Sequence, residues 1–362
     1  MAITRIGNPA IADQRGVNFR NIIINGDMSI AQRGTSATNV SSGYHTCDRW
    51  KFDRGVGTVT VSQETDAPTG SGFVKSFKVL ETGSSSPSAG DTNLLQHLIE
   101  GQNLQYLKKG TSSAKPLTAS FWVKGNLTGT YILELRDRDN SRQVSKSYTI
   151  SSANTWEYKT ISFPADTTGA LDNDNATSLQ FNFWVSAGTN FTSGTLNTTW
   201  NSETTANRAV GQVNLNGTPN NYIQWTGIQL ETGSQASDFE FLPRDISLQR
   251  CYRYCYKTPT GSLSQNSGEY CNAHHYTATT MLGLCSVNPV EMRVPFTVTF
   301  SGSFESYGAS AVYSISSLSS GEITSRGFQI NGQSSTGRTV GQAVTIRNAG
   351  NTTAFILQEA EL

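Results

Sequence analysis

The chain carries no surplus of either charge. Its 27 basic and 27 acidic side chains cancel, and charged residues make up 15% of the 362 positions, against a usual share of about 25%. No basic stripe stands out. Nucleic-acid binding, which relies on grouped Lys and Arg to neutralise phosphates, is therefore not expected. Long apolar runs are missing as well. Stretches such as Ile22 to Ile24 fall far short of the roughly 20 residues that a membrane-spanning helix needs, so no membrane segment is expected. The opening residues, MAITRIGNPAIADQRG, contain no apolar h-region. This speaks against a cleaved secretory signal and for synthesis in a cytoplasm.

Cysteine is scarce and odd in number: Cys47, Cys251, Cys255, Cys271 and Cys285. With no secretory leader in view, the expectation is thiols rather than a disulfide framework. Cys251, Cys255, Cys271 and the pair His274–His275 contain a C-x3-C spacing. The second half, CNAHH, lacks the H-x3–5-H pattern of a zinc site. No metal is expected there. Sustained heptads, a GxSxG elbow, an HExxH helix and a phosphate loop are all missing. Glycoside hydrolysis needs two carboxylates about 5–9.5 Å apart, one with a raised pKa. Glu134, Asp137 and Asp139 in ELRDRDN cluster at a strand end, where a charged turn explains them as well as catalysis does. The expectation is a protein that is not an enzyme and needs no cofactor.

What fills the chain is Ser, Thr, Asn and Gly with 10% aromatics, a mixture suited to short strands joined by polar turns. Strict alternation marks Val56 to Gln63. In PLTASFWVKG, Leu117, Ala119, Phe121 and Val123 share one face, leaving Ser120, Trp122 and Lys124 on the other. In SLQFNFWVSAG, Leu179, Phe181, Phe183 and Val185 share a face, leaving Gln180, Asn182 and Trp184 opposite. Further strands are read at Phe73–Glu81, Asn93–Ile99, Tyr131–Asn140, Trp156–Pro164 and Asn221–Gly233, with a bulge at Gly227. A short helical turn is read around Leu104–Leu107.

A length of 362 exceeds what one core usually fills. The predicted class is all-β: an N-terminal jelly-roll β-sandwich followed by a smaller C-terminal β-sandwich domain. Residues 1–20 read as an arm or anchor, 21–244 as the jelly roll, 245–256 as a short helical connector capped by Asp245, and 257–362 as the C-terminal β domain.

Five motifs occur in order: NIIINGDMSIAQRGTS, YHTCDRW, SSAKPLTASFWVKG, NTWEYKTISFPADTTG and TGIQLETGSQASDFEFLPRDISLQRCYRY. As an ordered set, covering about Asn21 to Tyr254, they resemble the tail-fibre and minor structural proteins of tailed bacteriophages. The opening stretch, Asn21 to Ile30, resembles the first strand of a carbohydrate-binding-module jelly roll. On that resemblance Trp50 is a core aromatic, with Asp48 and Arg49 at its rim. The resemblance implies a virion protein of the tail, assembled in the host cytoplasm, that attaches the particle to host-surface glycan. It also implies a homotrimer associating through sandwich faces and the Asp245–Tyr254 segment, with residues 1–20 holding an adaptor or baseplate protein. A head-surface decoration protein, a polysaccharide-degrading tailspike and a free carbohydrate-binding module are the alternatives.

Such modules often hold a structural calcium. The carboxylate expected two residues beyond Asp27 is Ser29 here, and the partner in the last strand is replaced by Gln224–Gly227. Both departures weaken that site. Asp172 and Asp174 are a second oxygen cluster that a solvated turn also explains. For sugar, aromatic rings stack on pyranose faces while amides read hydroxyls. Trp122, Trp184, Gln180 and Asn182 are the candidate carbohydrate-binding residues. The same polar face could instead be buried between subunits or covered by a loop. The C-terminal domain is the candidate distal tip, with Tyr256, Tyr270, Tyr276, Tyr307 and Tyr313 as contact candidates.

Overall fold

The computed structural model describes residues 19–258, 269–284, 288–308, 311–334, 338–349 and 353–362. The expected arm, apart from its last two residues, and Cys285 lie outside the described residues. The chain divides into two compact units at Leu242/Pro243.

The first unit contains β1 (Ser36–Ala37), β2 (Gly43–Tyr44), β3 (Lys51–Arg54), β4 (Val59–Glu64), β5 (Ser76–Glu81), β6 (Thr92–Glu100) and β7 (Leu117–Gly125). These are followed by β8 (Gly129–Asp137), β9 (Arg142–Ile150), β10 (Glu157–Phe163), β11 (Thr177–Ala187), β12 (Asn201–Ser202) and β13 (Tyr222–Thr232). They form two antiparallel sheets. A six-stranded sheet A runs in the order β1-β4-β5-β13-β7-β10, and a seven-stranded sheet B in the order β12-β9-β8-β11-β6-β3-β2. The inward parity read from the sequence holds on both sides. Leu117, Ala119, Phe121 and Val123 of β7 face Leu179, Phe181, Phe183 and Val185 of β11 within one continuous core. Phe121 meets Phe183 edge-on at 4.9 Å, and Phe183 leans on Trp225 at 5.2 Å. Aromatic contacts of this kind add about 0.5–1.5 kcal/mol each beyond area burial. Turns at 101–103 and 105–107 follow β6, as the Gly101 interruption suggested.

β13 carries the bulge expected at Gly227, which sits at φ +61°. Register slips between Thr226 and Gln229. Ile223 and Trp225 point into the core before the bulge, and Ile228 and Leu230 after it. One extra residue thus keeps a single strand facing inward along its whole length.

Asn21 to Ile30 is not a strand, contrary to expectation. It is an irregular, almost wholly buried segment with left-handed Asn25 and Met28. Its backbone groups find partners across the sandwich edge, as buried amides must. Ile22 N donates to Leu230 O at 2.9 Å, and Ile228 N to Gly26 O at 2.9 Å. The Asn25 amide bridges the carbonyls of Ile30 and Asp48 at 2.9 Å each, and Trp50 Nε1 donates to Asn25 O at 3.1 Å. The two opening motifs are therefore one interlocked corner. Trp50 is in the core, edge-on to His97 at 5.2 Å. Asp48 and Arg49 are buried with it rather than standing at a rim. The Asp48 carboxylate accepts from Gln32 N at 2.9 Å.

In the second unit a helix, Arg244–Tyr252, runs directly into β14 (Cys255–Lys257). Asp245 lies in the first turn and the capping position is Pro243, so Asp245 meets the helix N-terminus as a charge rather than as a cap. The segment belongs to the second unit and is not a separate connector. The remaining strands are β15 (Glu269–His275), β16 (Thr280–Leu284), β17 (Thr297–Ser301), β18 (Phe304–Gly308), β19 (Ala311–Gly321), β20 (Gln329–Ser334), β21 (Ala343–Asn348) and β22 (Phe355–Glu359). The unit is all-β and smaller than the first, as expected, but a β-sandwich was expected and most of its strands close on themselves instead. Six of its strands close into a barrel, β15-β16-β20-β19-β18-β21, and three form the sheet β14-β22-β17. Met281, Ile330, Ile346 and Ile356 are in its core.

A Cβ on Gly26 would lie 2.0 Å from Ile228 O. Backbone cannot yield there as a flexible side chain would. Gly26→Ala should therefore destabilise the first unit by about 1–3 kcal/mol, read by denaturant unfolding. Gly90→Ala, whose Cβ would have its nearest neighbour at 3.9 Å, should be near neutral.

Candidate functional site

Trp122 stands on the outer face of sheet A, half-buried and tilted against Tyr158 of β10 at 5.3 Å. Facing this pair across a cleft of about 440 Å³ is a second aromatic group, Phe73, Phe239 and Phe241. Those three rings pack mutually at 4.9–5.1 Å. Ser71, Ser120, Gly227 and Asp238 complete the lining. Tyr158 is 46% and Phe241 55% exposed.

The cleft follows from β13. At Gly227 a Cβ would stand 2.5 Å from the Phe73 ring, so the bulge glycine lets that ring lie flush on the sheet. Beyond the bulge, Gln229 and Glu231 point outward and fasten the tail that carries Phe239 and Phe241. Glu231 accepts from Ser237 N at 2.8 Å and Ser237 Oγ at 2.7 Å. Gln229 Oε1 accepts from Glu240 N at 2.9 Å. The Glu240 carboxylate in turn accepts from Asn21 N at 2.9 Å, and Arg20 Nη2 donates to Asp238 O at 2.6 Å. The tail and the buried N-terminal segment thus hold each other in place.

Further along the same face, Lys124 pairs with Asp66 and lies 5.2 Å from the Trp156 ring. Trp156 Nε1 also donates to Asp66, at 3.1 Å. Burial alone would raise the Asp66 pKa, but the bonds from Lys124 and Trp156 outweigh it and hold the carboxyl below its ordinary value. Lys78 lies 4.8 Å over the Tyr222 ring.

The four sequence candidates do not meet. Trp122 is on sheet A, whereas Trp184, Gln180 and Asn182 are on the outer face of sheet B. Trp184 is fully buried beneath a strap, residues 188–217, among Phe191, Leu196 and Ala209. Asn182 is consumed in a buried network. It accepts from Gln96 at 3.0 Å and donates to Glu134 at 3.0 Å. Glu134 is clamped by Arg208 of the strap through bonds of 2.7 and 2.9 Å, and the same guanidinium lies 5.1 Å over Trp184. Gln180 is half-exposed beside Arg136. The alternative that a loop covers the polar face is what sheet B shows.

The acidic candidates have structural partners. Asp137 pairs with Lys109 at 2.5 Å, and Asp139 accepts from Asp172 N at 2.9 Å. Asp174 accepts from Ala176 N, closing a local turn. The Asp27 carboxylate is taken by Ser29 Oγ at 3.1 Å. Among the described residues no cluster of three or more His, Cys, Asp or Glu is placed to hold a metal ion. Cys251 and Cys255 are buried. Of the tyrosine candidates, Tyr276 is the most open at 62% exposure. Tyr307 lies 4.4 Å from the Arg347 guanidinium, and Tyr270 donates to Ala354 O.

Reading the strands singly missed Tyr158, Phe73, Phe239 and Phe241. Their signal was present. Tyr158 alternates outward on β10, and SDFEF follows the Gly227 strand with aromatics two residues apart.

Two antiparallel sheets facing across one core define the class of the first unit: a jelly-roll β-sandwich. No family model matches the chain, and no curated protein matches it. Among solved structures, the enzymatically active domain of bacteriophage CBA120 tailspike protein 4 aligns over 59% of this chain and 22% of its own, with 15% identity and TM-score 0.32. A family 11 carbohydrate-binding module from Clostridium thermocellum aligns over 55% of this chain and 97% of its own, with 13% identity and TM-score 0.28. TmCBM61, solved with β-1,4-galactotriose, aligns over 59% and 99%, with 9% identity and TM-score 0.26.

Removing one partner of the buried Arg208–Glu134 pair leaves an uncompensated charge. Arg208→Ala should cost about 3–5 kcal/mol and raise hydrogen exchange through residues 188–217. The strap is also held by Arg136, which makes two bonds of 2.6 Å to Glu203. Burial raises the Glu203 pKa, but Arg136 outweighs it and the net shift is downward. A depressed carboxylate stabilises the fold above its unfolded pKa and loses that contribution as pH falls through the folded value. Exchange in the strap should accordingly rise below about pH 4, and Glu203→Gln should flatten that rise.

Proposed function

We propose that this chain is a non-catalytic attachment protein of a tailed bacteriophage, and that its first unit binds host-surface glycan in the cleft on sheet A. The observation that carries the reading is the pair of facing aromatic groups, Trp122 with Tyr158 and Phe73 with Phe239 and Phe241, around a cleft of about 440 Å³. Two ring walls with hydroxyls between them suit a pyranose. The rings cover its apolar faces, while Ser71 and Ser120 offer hydrogen bonds to its edge. The ordered motifs from Asn21 to Tyr254 support the phage assignment, since they resemble tail-fibre and minor structural proteins.

In this reading the particle presents several copies, as a homotrimer anchored in the tail through residues 1–20. Single sugar sites are weak, but linked copies gain roughly 10²–10⁴ in avidity without new contacts. The second unit forms the distal end.

Trp122→Ala removes one wall of the cleft without touching the core, because its side chain lies on the outer face. Adsorption of the purified protein to host cells should fall at least tenfold while its mass by light scattering is unchanged. Full adsorption by the variant, or release of reducing ends from host polysaccharide by the wild type, would refute the proposal.

A further inference from the structure

Among the residues lining the sheet A cleft, the charged one is Asp238. Its main-chain carbonyl is held by Arg20 at 2.6 Å, but its exposed carboxylate makes no ion pair or hydrogen bond among the described residues. Two cations lie nearby, and each has an acidic partner of its own: the Arg20 guanidinium, which holds that carbonyl, lies 3.8 Å from Glu231, and Lys124 is paired with Asp66. Lys78 lies two strands away from β7, over Tyr222. The lining of the cleft therefore combines one carboxylate residue with five aromatic rings. Phe73 and Phe239 stand at 80°, Phe239 and Phe241 at 68°, and Trp122 and Tyr158 at 49°. The face of an aromatic ring attracts a cation that comes within about 6 Å of it.

Resting on the glycan reading of this cleft, we infer that its ligand is a glycan bearing a free, protonated amino group, and that Asp238 is the residue that selects it. The ammonium donates to the Asp238 carboxylate at the tail edge while the sugar ring lies between the two aromatic walls. Uronic acids are repelled by the same carboxylate. N-acetylation removes the charge and with it the preference, but leaves the ring contacts.

The test is calorimetric titration of the full chain with three probes at low salt: a chitosan tetramer with free amines, its fully N-acetylated counterpart, and tetragalacturonate. The wild type should bind the chitosan tetramer most tightly and tetragalacturonate least. Exposed charge pairs contribute modestly, so Asp238→Asn should weaken the chitosan tetramer by roughly two- to fivefold and leave the N-acetylated tetramer unchanged. Trp122→Ala should weaken both. If wild type binds the N-acetylated tetramer as tightly as the free amine, or Asp238→Asn keeps the wild-type ratio between them, the amine assignment falls and the glycan reading stands. If wild type and Trp122→Ala bind all three probes alike, the glycan reading of the cleft falls as well.

Discussion

The first unit turns on one extra residue in β13. Without the bulge at Gly227, strand parity would carry Ile228 and Leu230 to the outer face and bring Gln229 and Glu231 into the core. Burying two such polar groups without partners would cost several kcal/mol each. With the bulge, apolar side chains face inward at both ends, and the two polar ones become outward anchors for the tail. The same irregularity leaves Ile228 N free of the ladder to β7, where it meets Gly26 O of the N-terminal segment. It also opens the flat seat on which Phe73 rests. Core continuity, docking of the chain start and the shape of the cleft share one local cause.

The two outer faces of the sandwich have opposite fates. On sheet B, the strap lays Arg208 across Glu134 and Trp184 and closes the centre of the face. Charge, amide and indole there satisfy one another, which a buried polar network requires. On sheet A, among the described residues, no comparable strap lies over Trp122 and Tyr158. The tail that could have covered them is held to one side by Glu231 and Gln229 and contributes Phe239 and Phe241 as a facing wall. A cleft rather than a flat platform results, and among the described residues that line it the charged one, Asp238, belongs to the tail. In the proposed reading, ligand chemistry is narrowed by the tail, not by the strand that carries Trp122.

Irregular backbone at the start of the unit serves the same end. Residues 21–30 are buried yet make no strand, so each donor and acceptor must find a specific partner. Asn21, Asn25 and His97 supply them through side chains, at the amides of Ile23, Ile30 and Ile24, and Trp50 closes the corner with a ring contact to His97. Glu240 ties Arg20 and Asn21 to the tail beside the cleft. The polar motif residues near the chain start therefore act on the site through architecture.

Period-two alternation made β7, β11 and the core rings legible from sequence, because a half-buried strand must place apolar side chains on one face whatever its neighbours are. The glycine before IQLE marked the bulge for an equally local reason. The fates of Trp122 and Trp184 were not legible. FWVKG and FWVSAG are near-identical local patterns, and parity places both indoles outward without saying on which sheet or under what. Asn21–Ile30, read as a strand by resemblance, was not legible either, since its amides are met by Asn21 and Asn25 nearby and by His97 and the Leu230 carbonyl far along the chain. Sequence by itself determined which side of each strand is greasy, since that depends on neighbours one and two residues away. Tertiary structure alone decided which polar face stays open, since that depends on where Arg208 and Phe239 land after the chain has crossed the sandwich.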